Sequence, residues 1–100
     1  MADKSPSKKI TVDIILFPPF SNSVSNASTR VVVEENSTVK ELLRVLSSND
    51  SHIKRHLGDS LKEEDIRLRA LIIHNDHMAR LDQEVKEGDC FKLLHPLQGG

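Results

Sequence analysis

The sequence predicts an α+β domain: a mixed sheet of four to five strands, with one main helix and a short helical segment on one face. Three patterns carry that prediction. Apolar residues alternate with period two near the start of the chain, a capped segment in the middle switches to the helical period, and two further apolar runs close the sequence. A hairpin, then a helix, then more strands calls for a sheet that is covered by helices on one side.

Residues Met1 to Lys9 are small, polar and basic, and read as a disordered leader (1–9) before the folded unit (10–94). Ile10, Val12, Ile14 and Leu16 then alternate with Thr11, Asp13 and Ile15, as expected of a strand with one buried face. Pro18 and Pro19 end it, and a Ser/Asn-rich loop leads to Thr29–Glu34, the second strand of a hairpin. Thr38 and Glu41 form a capping box at the start of a helix, in which Val39, Leu42, Leu43 and Leu46 make one apolar stripe. Ser47 to Ser51 breaks that pattern. Ile53, Leu57 and Leu61 then mark a short helical segment interrupted at Gly58.

Leu68 to His74 reads as a central strand, with Leu68, Ala70 and Ile72 on one face and Leu71 and Ile73 on the other. Asn75 and Asp76 supply a turn, Met78 to Leu81 a short strand, and Gly88 a position suited to positive φ in the Lys86–Asp89 turn. Cys90 to Leu94 is the last strand. Pro96 cannot donate to a ladder, so the chain leaves the sheet as a flexible tail (95–100) that ends in Gly99 and Gly100. Glycine's missing Cβ lets such a tail thread a channel too narrow for side chains.

Composition removes several functions. The formal net charge is −1 and aromatic residues are 3% of the chain, which leaves neither an electrostatic footprint nor stacking platforms for nucleic acid. No apolar stretch has the length of a signal or a membrane span, and Cys90 is the single cysteine, so a cytoplasmic protein with no membrane partner is expected. In that setting the Asn-x-Ser/Thr triplets at Asn26, Asn36 and Asn49 are turn sequences. His52 and His56, and His74 and His77, have no carboxylate or thiol placed to complete a metal shell, so they are expected to be solvated and no metal is assigned. Cys90 reads as a half-buried strand residue and Lys62-Glu63-Glu64-Asp65 as a solvated turn. No nucleophile, base or phosphate-loop constellation is present, so the chain is not expected to be an enzyme.

From Ile10 to Gly100 the chain resembles the MoaD/ThiS sulfur carriers of the ubiquitin-like β-grasp fold. The elements that carry the resemblance run from Ala70 to Gly100: a hydrophobic strand into Asn75, a short return strand, the Glu87-Gly88-Asp89 turn, and an apolar last strand entering Pro96 and the terminal glycines. The helix start Thr38-Val39-Lys40-Glu41-Leu42-Leu43 matches as well. The resemblance implies that Gly100 is the acyl attachment point and that Gly99, Gln98, Leu97 and Pro96 give it access to a partner's active site. It also implies a ubiquitin-activating-type adenylating enzyme (MoeB/ThiF-like) that uses ATP and Mg, a sulfur donor, and a MoaE-like large subunit of molybdopterin synthase, with no cofactor bound permanently to the carrier. A persulfide or sulfide would displace AMP from the adenylate on the way to a thiocarboxylate for molybdenum cofactor synthesis, the persulfide route needing a thiol to cleave the S–S bond that it leaves.

The same terminus would serve carriers for thiazole, tRNA thiolation or cysteine/homocysteine synthesis. It would also serve a ubiquitin-like modifier joined to target lysines, while a non-covalent interaction module would tolerate its loss. A sheet with two apolar faces needs two covers, and the helix stripe supplies one. Ile15, Leu71, Ile73 and Leu94 are therefore expected either to form an exposed docking patch or to lie beneath a loop or the segment around Leu57.

Overall fold

The computed structural model describes residues 8–96. Its elements are β1 (Lys9–Leu16), β2 (Ala27–Glu34), α1 (Val39–Asn49), α2 (Ser51–Leu57), α3 (Glu63–Arg69), β3 (Leu71–His74), β4 (His77–Met78) and β5 (Cys90–Leu94). The sheet order is β2-β1-β5-β3-β4. β1 and β5 run parallel at its centre, and the other pairs are antiparallel. This is the expected α+β architecture, a mixed five-stranded sheet of the β-grasp type, with three helices among the described residues.

Alternation decides which face is closed. Ile10, Val12, Ile14 and Leu16 of β1, Val31 and Val33 of β2, Ile72 of β3, and Phe91 and Leu93 of β5 share one core with Val39, Leu42, Leu43 and Leu46 of α1. Ile53 and Leu57 of α2 and Ile66 of α3 complete that core, so all three helices cover the same side. Burying side chains of this size is worth about 1.5–3 kcal/mol each, which makes this layer the main source of stability.

The helix start is as the sequence predicts. Glu41 N–H donates to Thr38 Oγ1 at 3.4 Å, and Thr38 N–H donates to the Glu41 carboxylate at 3.3 Å. α1 runs on through Ser47 and Ser48 to Asn49, past the expected break. Asp50 then caps α2, its Oδ1 accepting from the N–H groups of His52 and Ile53. Gly58, at φ 84°, stops α2 where the sequence places the interruption.

The largest correction lies between Lys62 and Ala70. Leu68 is in a helix and 79% exposed, so it does not open the strand. Lys62 to Asp65 forms the cap and first turn of α3 and is not a solvated turn. The helix wins because Glu63, Glu64 and Asp65 stand at its positive end and Arg67 and Arg69 at its negative end. A Glu63–Arg67 pair at 3.1 Å adds to this. Only Ile66 and the following Ala70 are buried there.

Other boundaries shift by a residue or two. β2 begins at Ala27 before Thr29, and β4 is His77–Met78 where Met78 to Leu81 is expected. Asn75 and Asp76 both have positive φ, the two-residue hairpin geometry that matches the twist of β3 and β4. Leu81 instead turns inward, and its carbonyl accepts from Lys40 N–H at 3.0 Å. β3 lies between β5 and β4, so it is an interior strand, while the centre of the sheet is β5.

Candidate functional site: the root of the tail and the open sheet face

The tail leaves from the middle of the sheet. Asp13 to Leu16 of β1 flank β5 on one side and Leu71 to His74 of β3 on the other. Phe17 N–H extends the first ladder by donating to Leu93 O at 3.0 Å. The start of β5 is held just as firmly. Gly88 has φ 83° as expected, its N–H donates to Thr11 O at 2.9 Å, and Glu87 Oε1 accepts from Thr11 N–H at 2.8 Å. Asp89 O receives Asp13 N–H at 2.9 Å, so the turn fixes the parallel register of β1 and β5. Pro96 is half-buried beyond the sheet, and Leu97, Gln98, Gly99 and Gly100 lie outside the described residues.

Four of the sequence-predicted residues come together on the face that the helices leave open. Leu94 stands opposite Leu71, and Ile15 and Ile73 flank Lys92 from β1 and β3. All four are half-buried. Leu57 cannot cover them, because it is fully buried in the helix-side core. Sequence reading missed two members of this surface. Lys92 sits at its centre, and Met78, opposite Ile73 and 52% exposed, continues it toward the sheet edge. The signal for Lys92 was its period of two with Leu94.

His52, His56 and His74 are half-buried and packed, contrary to the expectation that they are solvated, whereas His77 is exposed as expected. His52 Nε2 donates to Pro19 O at 2.7 Å, its ring lies 4.7 Å from His56, and His56 meets Phe20 edge-on at 6.2 Å. Burial holds the His56 pKa below its ordinary value, and the nearby His52, Arg55 and His95 lower it further. At the other end of β5, His74 stacks on Phe91 at 4.6 Å. The Gln83 amide donates to His74 Nδ1 at 3.0 Å, which leaves the ring proton on Nε2, 3.4 Å from Asp89 Oδ1. Among the described residues no cluster of three or more His, Cys, Asp or Glu could hold a metal. Cys90 is exposed and not half-buried, because it lies on the open face opposite Asp13.

No helix among the described residues is long and apolar enough to cross a membrane. The described residues thus present a strand end, an apolar sheet face and packed imidazoles at the tail root.

Comparison with known proteins agrees with this geometry. SAMP1 from Haloferax volcanii is 24% identical, with a TM-score of 0.70 over 90% of this chain and 99% of that one. Molybdopterin converting factor, subunit 1, from Pyrococcus furiosus is 20% identical, with a TM-score of 0.67 over 87% of this chain and 98% of that one. The HVO 2177 protein of Haloferax volcanii is 17% identical, with a TM-score of 0.74 over 99% of this chain and 94% of that one. These likenesses establish the fold. A search of curated proteins finds no match. The ThiS family model matches residues 14–100, from the middle of β1 through the two glycines, and the chain therefore belongs to the ThiS family of ubiquitin-like carrier proteins.

Proposed function

We propose that the chain is a sulfur carrier that works as a substrate, with Gly100 as the reacting group. The observation that carries this reading is the family match, which includes Gly99 and Gly100. A free α-carboxyl titrates near about pH 3.5, so at neutral pH it is an anion and a poor electrophile. A ThiF- or MoeB-like partner with MgATP would join it to AMP and release pyrophosphate. Hydrosulfide attack at the acyl carbon would then expel AMP and give up one proton, leaving a thiocarboxylate.

The acceptor that best suits this chain is a molybdopterin precursor held by a MoaE-like subunit. The Pyrococcus structure named molybdopterin converting factor supports that choice. Six residues from His95 to Gly100 span on the order of 20 Å when extended, enough to enter a neighbouring subunit. The open face of Ile15, Leu71, Ile73 and Leu94 would dock the partner while the tail enters its site.

A second reading has its own support, since a related structure from Haloferax volcanii is named small archaeal modifier protein 1. In that case the acyl group goes to a lysine amine in place of sulfide. Intact mass spectrometry after incubation with the adenylating enzyme, MgATP and a sulfide source tests the proposal. One oxygen-for-sulfur exchange at Gly100 is expected, and its absence while the adenylate forms would defeat the carrier role. Glycine-glycine remnants on lysines of other proteins would establish the modifier.

A further inference from the structure

Away from the sheet, the second half of α1, Lys54 of α2 and the segment from Gly58 to Leu61 line a cavity of about 310 Å³. No strand residue lines it. Arg44, Ser47 and Ser48 border it from α1. Arg69, at the end of α3, lies beside Gly58 of that lining, where a Cβ on the glycine would stand 3.1 Å from Arg69 Cζ and Nε. Glycine suits that position because φ is +84°, with the Arg69 guanidinium close beside it.

The charge of this cavity runs against that of the chain. The formal net charge of the whole sequence is −1, yet Arg44 and Lys54 line the cavity and Arg69 stands beside its Gly58, with one carboxylate in the lining, Asp59. That carboxylate is 92% exposed and 4.0 Å from Lys54, a weak pair. Neither the Arg44 nor the Arg69 guanidinium has a carboxylate partner or donates a hydrogen bond among the described residues. The carbonyl ends of α1 and α2 subtract at most about half a charge each, so the site stays positive.

A second, independent observation is the Ser47 hydroxyl, which is buried without a hydrogen-bond partner among the described residues. An unpaired buried hydroxyl is costly, and Ser47 is one of the residues that border the cavity. Two guanidinium forks, an ammonium and two hydroxyls offer more donors than the two oxygens of a carboxylate can accept, whereas a phosphoryl group presents three oxygens and up to two charges. The volume is that of about ten waters, so there is room for a group attached to the phosphate along Leu61.

We infer that this cavity binds a phosphate-bearing small molecule, with Arg44 and Arg69 receiving the phosphoryl oxygens. Lys54 adds a point charge, and Ser47 and Ser48 donate hydrogen bonds. The site shares no residue with the tail or the open face, so it stands or falls independently of the carrier reading.

The test is to titrate the isotope-labelled full chain with inorganic pyrophosphate and, separately, with adenosine diphosphate, following amide shifts by NMR. Saturable shifts are expected from Arg44 to Ser48, from Lys54 to Leu61 and at Arg69. They should weaken about tenfold or more in the R44Q/R69Q double variant and fade with added salt. S47A should bind more weakly while melting no lower than the parent, since it removes an unpaired buried hydroxyl. Equal affinity for the two probes supports a site for the phosphate alone, and tighter binding of the nucleotide supports use of the remaining volume. Lack of saturable shifts with both probes, or shifts that survive in R44Q/R69Q, would overturn the inference.

Discussion

The two faces of the sheet carry similar aliphatic side chains and meet opposite fates. On the helix side, Ile14, Phe91 and Leu93 are nearly inaccessible. On the other, Ile15, Leu71, Ile73 and Leu94 are shielded only in part. Strand propensity does not separate them, since Ile14 and Ile15 are the same residue one position apart. The difference is three helices on one side, which commits that face to stability and leaves the other available for association.

Substitutions on the two faces should therefore separate folding from binding. Phe91→Ala opens a cavity in the core and is expected to cost about 3–5 kcal/mol, read as a drop in the denaturant midpoint. Ile73→Ser on the open face should cost about 1 kcal/mol or less while weakening capture by the adenylating partner, read by pull-down and by the rate of adenylate formation. A core-sized loss of stability at Ile73, or undiminished partner binding, would break the contrast between the faces. Thr38→Ala removes the cap that aims α1 onto the helix side and should cost about 1 kcal/mol without altering partner binding.

The smallest effect expected is at His56. Its folded-state pKa is lowered, so the unfolded chain takes up a proton first as the solution is acidified. His56 is thus fully compatible with stability above about pH 6.5, and stability falls as pH drops from there toward the folded-state pKa. Replacing it in H56N should flatten that part of the melting-temperature profile. An unchanged slope would assign the pH dependence to other groups.

Much of this was legible in the residues, because strand alternation and the capping box are local signals. Thr38 and Glu41 needed no tertiary help to reveal α1, and the alternation from Ile10 to Leu16 named the buried set of β1 correctly. α3 escaped because Leu68, Ala70 and Ile72 mimic a strand period, while the true helix signal was in the charges at its two ends. The His52–Pro19 contact joins residues 33 apart and has no trace in the sequence. The patch on the open face was readable as four residues, but the position of Lys92 within it required the pairing of β5 with both neighbours. The cationic cavity escaped for the same reason, since Arg44 lines it from α1 and Arg69 comes beside its Gly58 from α3 only through the arrangement of three helices.

That double pairing of β5 has a mechanical side. A force applied to the tail along the strand axis loads the hydrogen bonds to β1 and β3 together, in shear, and cannot peel them apart one at a time as it could at a sheet edge. The handle that a partner would grip is thus anchored where the sheet resists traction best.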